Sequence, residues 1–172
     1  MTSIGGIAVA QAIVEQIKAA SMSWTPVLVM VGDLSYYPEN ATIGQDIPAV
    51  FVQPITLDIA HLDIGGESIG SQMVFRVVLC DSWDETDNMT VIRGQRLEEL
   101  VDRTTIRDSG DGWRLSGTAG SLVIEQAMPA RLEYAPEEHA AVAELQAVGG
   151  AGGPRRVFAA AFTLQVIARA ER

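Results

Sequence analysis

The run RVFAAAFTLQVIARA, from about Arg156 to Ala170, constrains the fold more than any other stretch of this chain. Phe158, Ala160, Phe162, Leu164, Val166 and Ala168 would line one side of an extended backbone, and Val157, Ala159, Ala161, Thr163, Gln165 and Ile167 the other. The second side is small early in the run and polar in its middle. A strand apolar on both sides needs cover on both faces, so this is read as a long C-terminal strand at the centre of a sheet. The early alanines leave room for a helix to approach closely. A glycine leash, GGAGGP from Gly149 to Pro154, leads into it.

The remaining periodicities supply what such a strand would pair with. Residues from about Ile7 to Ala20 place Val9 or Ala10, Ile13, Val14, Ile17 and Ala20 three and four apart, which predicts a helix with one apolar stripe. Trp24–Val31 reads as a strand, and GDLSYYPENATIGQDIP as a turn-rich connection. In AVFVQPITLDIAHLDI, Pro54 interrupts the strand pattern and marks a bend or a sheet edge, because proline has no N–H to give to a ladder. SQMVFRVVLCDS alternates cleanly, with Met73, Phe75, Val77 and Leu79 on one side and Gln72, Val74, Arg76, Val78 and Cys80 on the other.

A second helix is predicted from about Thr86 to Val101. Asp81, Asp84, Glu85 and Asp87 gather at its start, where carboxylates complement the helix dipole. Its stripe of Met89, Ile92, Leu97 and Leu100 is interrupted by Arg93 and Arg96, which calls for acidic partners in the same subunit or on a neighbour. Between Arg107 and Tyr134 the glycine-punctuated sequence predicts two or three short strands. PEEHAAVAELQAV, from Pro136 to Val148, has helical spacing. The expected architecture is a single α+β domain over residues 1–172: a mainly antiparallel sheet flanked by two principal helices. An insertion at about 137–154 is expected to be flexible or to order on assembly.

Composition narrows the function classes. A formal charge of −10, from 12 basic and 22 acidic residues, opposes binding to nucleic-acid backbones or anionic membranes. Hydrophobic residues make up 48 % of the chain, an excess that points to surface buried against other subunits. Cys80 is the single cysteine, so no internal disulfide forms, and its apolar setting predicts a buried thiol. The N-terminal segment lacks the basic region of a signal peptide, so a cytosolic origin is expected.

Catalytic patterns do not emerge. His61 lies near Asp58 and Asp63, but no further His or Cys stands at ligand spacing, and His139 sits among glutamates. DSGDGWRLSGTAG lacks the ligand order of a calcium loop, and GGAGGP lacks the Gly-Lys-Ser/Thr ending of a phosphate loop. Neither a catalytic residue nor a metal or cofactor site is assigned, and the chain is not read as an enzyme.

The amphipathic start AVAQAIVEQIKAA, the strand PAVFVQP, the passage FRVVLCDSWDETDNMTVIRGQRLEELVD and the closing RVFAAAFTLQVIARA come in an order that resembles the tail terminator and tail-completion (head–tail joining) proteins of long-tailed bacteriophages. The resemblance is one of pattern and runs over nearly the whole chain. It implies a virion structural protein of the tail–neck region, assembled in the host cytoplasm. It further implies a homo-oligomeric ring, hexameric in that family, which caps the tail tube and meets neck or connector proteins. DNA would be a partner only in passing through the channel, and no membrane is involved. On this reading Arg93, Arg96, Arg103, Asp84 and Asp87 are candidates for the subunit interface. Gly149, Gly150, Gly152, Gly153, Arg155 and Arg156 would belong to the assembly-ordered segment. The alternatives are another neck, connector or minor capsid component and, in a different class, a small α+β enzyme or ligand-binding module.

Overall fold

A computed structural model of the chain describes residues 5–33, 47–61, 68–82, 87–105, 113–114, 122–134, 144–145, 155–156 and 158–171. In chain order the elements are α1 (Gly6–Ala19), β1 (Leu28–Val31), β2 (Ala49–His61), β3 (Ser68–Ser82), α2 (Asp87–Thr104), β4 (Trp113–Arg114), β5 (Leu122–Glu133), β6 (Glu144–Leu145), β7 (Arg155–Arg156) and β8 (Phe158–Glu171). The main sheet has six strands in the order β1-β2-β3-β8-β5-β4, and β6 and β7 form a separate two-stranded ladder.

β8 stands between β3 and β5 and runs antiparallel to both, as the two apolar sides of its sequence require. β1 and β2 form the one parallel pair among the described strands. The fold is α+β, as predicted: a mostly antiparallel sheet with two helices among the described residues.

One face of the sheet carries the main core. Val50 and Val52 of β2, Met73, Phe75, Val77 and Leu79 of β3, and Ala160, Phe162, Leu164, Val166 and Ala168 of β8 are buried there with the stripe of α1 and with Leu97 and Leu100 of α2. The α1 stripe is Val9, Ala10, Ile13, Val14 and Ile17, the three-and-four spacing seen in the sequence. Both described helices therefore serve the same face.

The opposite face has a smaller buried cluster of Ala49, Phe51, Val78, Cys80, Ala159 and Ala161. Among the described residues no helix contributes to it. Further along β8 this face opens, with Gln165 exposed and Ile167 37 % exposed. The burial of β8 on both sides thus holds for its first part only. The polar residues in the middle of its second side mark where the cover stops.

Several boundaries differ from the sequence reading for identifiable reasons. β1 begins at Leu28 rather than at Trp24, and Pro26, which cannot donate to a ladder, lies between them. Trp24 is buried in the main core instead. α2 continues to Thr104, whose buried hydroxyl donates to the Leu100 carbonyl at 2.8 Å.

The helical spacing over 136–148 is corrected at Glu144–Leu145, which form β6 and pair with Arg156 and Arg155 of β7. A short alanine-rich segment is marginal as an isolated helix, and pairing with another strand prevails over its local propensity. The rest of that segment, and the glycine leash, lie outside the described residues.

Because β8 joins the two halves of the sheet, truncation of its buried side chains should cost far more than truncation of its open ones. Phe162→Ala, at a position 1 % exposed, is expected to lose about 3–5 kcal/mol in denaturant unfolding. Gln165→Ala on the same strand should stay within about 0.5 kcal/mol of the parent.

Candidate assembly surfaces

Two of the candidate interface arginines are engaged inside the subunit. On α2 the fully buried positions Arg93, Leu97 and Leu100, with Thr104, recur at four, three and four residues, so Arg93 belongs to the inward stripe and is 1 % exposed. Its guanidinium lies 5.9 Å from the centre of the Phe158 ring at the start of β8. Arg96 pairs with Asp81 at the end of β3, and its guanidinium stands 5.4 Å over the Trp24 ring. The Asp81 side chain is 1 % exposed.

Burial pushes the Asp81 carboxyl above its ordinary value, while the charges of Arg96 and Arg93 pull it back. A buried carboxylate of this kind persists because cations face it. The two arginines thus dock α2 on its own sheet. Of the two kinds of partner that the sequence allowed, the subunit itself supplies one: the helical phase turns Arg93 inward, and Asp81 captures Arg96.

Two further contacts fix α2 from its outer side. The Ser23 N–H donates to Glu99 Oε1 at 2.7 Å, and the Ser23 hydroxyl donates to Oε2 at 2.6 Å. These bonds hold the Glu99 carboxyl below its ordinary value. The Tyr134 hydroxyl donates to Glu98 at 2.8 Å. A side chain at Gly94 would come within 3.3 Å of the Tyr134 ring, so the absence of a Cβ there lets the ring lie on the helix.

The remaining sequence candidates are scattered. Arg103 is exposed in the last turn of α2. Asp87 opens α2, with its side chain outside the described residues, and Asp84 lies outside them altogether. Gly149, Gly150, Gly152 and Gly153 are also outside. Arg155 and Arg156 form β7. Asp58 is exposed on β2 and His61 closes that strand, while Asp63 is not among the described residues. Among the described residues no three His, Cys, Asp or Glu side chains are grouped to hold a metal ion, and no helix is long and apolar enough to cross a membrane.

Surfaces that the sequence reading did not single out lie at the two flanks of the sheet. β1 covers β2 only from Ala49 to Val52, and β4 covers β5 only at Val123 and Ile124. Beyond those points neither strand has a further described neighbour on its outer edge. Each uncovered edge carries a proline beside a register shift, Pro54 on β2 and Pro129 on β5. Proline and bulges blunt an edge against main-chain addition of another strand.

Apolar side chains stand out at both flanks. Ile7 (65 %), Ile55 (50 %) and Leu57 (37 %) are exposed on the β2 side, and Met128 (45 %) and Ile167 (37 %) on the β5 side. On the less covered face Glu133 receives Arg76 at 2.6 Å and Arg131 at 3.1 Å, across the intervening β8. The signal available in the sequence was AMPARLE, where a methionine beside a proline sits in a strand pattern that otherwise turns polar.

The two carboxylates around α2 should show opposite pH signatures. Arg96→Ala leaves Asp81 buried with its nearest cation gone and is expected to cost about 3 kcal/mol near neutral pH. That deficit should shrink as pH falls through the raised range of Asp81, because protonation removes the buried charge. Glu99→Gln should behave the other way. Its deficit is present above the ordinary glutamate value of 4.5 and is lost as pH falls through the lowered one. Chemical unfolding of both variants and the parent across pH 3–7 checks the pair of signs. No known protein family matches the chain, and neither does any curated protein sequence.

Proposed function

We propose that this chain is a virion structural protein of the phage tail-terminator type, a subunit of a closed ring that caps a tail tube and joins it to the neck. The observation that carries the reading is the architecture: an open, mostly antiparallel sheet with the two described helices on one face and the long C-terminal strand at its centre. An open helix-flanked sheet supports this role over that of a β-barrel stopper. The step from fold to role is one of analogy.

The surfaces support it in physical terms. A closed ring of identical subunits is built from heterologous contacts, which need two different patches on each copy. Apolar side chains exposed at opposite flanks of one sheet fit that requirement. With a formal charge of −10, the ring would offer passing DNA no counterion-release gain. A tail-tube protein and neck or connector proteins are the partners this role requires.

Light scattering of the purified protein, with negative-stain imaging, tests the reading. A closed ring of about six copies is expected by the family analogy, with no retention on duplex DNA at physiological salt. A monomer at high concentration that also fails to cap isolated tail tubes would sink it.

A further inference from the structure

We propose that α2 is a detachable helix, which opens from the sheet as a unit while the sheet and α1 stay folded. The device belongs to the single subunit and does not rest on the ring reading.

Three observations converge on it. First, the apolar seat of α2 is thin. Among its described residues Leu97 and Leu100 are the large apolar side chains it buries fully, with Val101 partly buried beside them, in a helix of 18 residues. α1, with 14 residues, buries Val9, Ala10, Ile13, Val14 and Ile17. The ladders that join β3, β8 and β5 do not pass through α2, so its departure leaves them intact.

Second, the polar layer under α2 is only half satisfied. Arg96 occupies one oxygen of Asp81, while Asp81 Oδ2 is buried with no hydrogen-bond partner among the described residues. The indole N–H of Trp24, whose ring Arg96 covers, is buried in the same way. Such groups forgo their bonds to water as long as the helix is docked. Opening lets water reach the side of Asp81 and Trp24 that Arg96 covers, and it returns the buried guanidinium of Arg93 to solvent. This hydration offsets part of the cost of exposing Leu97 and Leu100. The buried Thr104 hydroxyl bonds to the Leu100 carbonyl within the helix, so it leaves without losing its partner.

Third, the fasteners on the outer side are exposed. Ser23 on Glu99 and Tyr134 on Glu98 are surface hydrogen bonds, which water can replace. A helix held by a thin apolar seat, a costly polar layer and exposed fasteners is lower in local stability than the strands beneath it. Because α2 lies against β3 and β8, its opening uncovers part of the main core without breaking the sheet.

Native-state hydrogen exchange on the full-length protein, followed residue by residue in low denaturant, tests it. The α2 amides are expected to exchange together, about a hundredfold or more faster than the buried amides of β3 and β8 relative to unstructured chain, and with a shallower dependence on denaturant. Val78→Ala, in the buried cluster of the opposite face, should separate the two openings. It should speed β8 exchange by about tenfold or more. It should leave α2 exchange within about twofold of the parent, because that site stays packed when α2 opens. Tyr134→Phe, which removes only the hydroxyl bonded to Glu98, should speed α2 exchange by about threefold. Equal protection of α2 and β8 in the parent overturns the proposal. A Val78→Ala variant in which both speed up by the same factor overturns it too, since α2 then opens only when the whole subunit unfolds.

Discussion

The burial of β8 is the interaction on which everything else depends. Its first side supplies Ala160, Phe162, Leu164, Val166 and Ala168 to the main core, and its two edges hold β3 and β5 in place. Each large apolar side chain so buried contributes about 1.5–3 kcal/mol. The gain is realised only when both flanking strands are present. Remove β8 and the sheet separates into β1-β2-β3 and β5-β4, and the main core loses the five side chains that span the two halves.

Helix placement follows from the same strand. α1 and α2 share one face because that is where the continuous apolar side of β8 and β3 lies. α2 is the more polar of the two, so packing alone does not fix it. Asp81 at the end of β3 and Phe158 at the start of β8 receive Arg96 and Arg93, and Ser23 and Tyr134 hold the outer side through Glu99 and Glu98. The ionic contact orients the helix on the sheet more than it stabilises it, since desolvation of Asp81 offsets much of the attraction.

How much of this was legible in the sequence depended on the kind of signal. Period-two alternation in 158–168 and 72–80, and the three-and-four spacing of α1, report burial directly, and those elements lie where the spacing predicted. Pro54 correctly marked an edge. The parallel pairing of β1 with β2 was not legible, because parallel and antiparallel partners present the same alternation. The inward turn of Arg93 was hidden because a charged residue in an apolar stripe has the same spacing whether its partner is its own Asp81 or another molecule's acid. Glu144–Leu145 read as helix because alanine propensity is local, and the pairing with Arg155–Arg156 is not. The flanking patches were invisible for a related reason: Met128 and Ile167 are far apart in sequence and adjoin only in the register of β5 on β8.

The position of β8 also bears on how the chain comes to be folded. It is the last strand of the described chain, so during synthesis both β3 and β5 are made before the strand that separates them, β3 long before it. Contacts such as Leu79 with Ala160 close very long loops, which makes such a sheet slow to complete. Until then β3 presents an unfilled edge, and an identical strand from another nascent chain fits that gap as well as its own. Where many copies are made close together, the rate at which each chain delivers its own β8 decides whether single subunits or strand-exchanged pairs result.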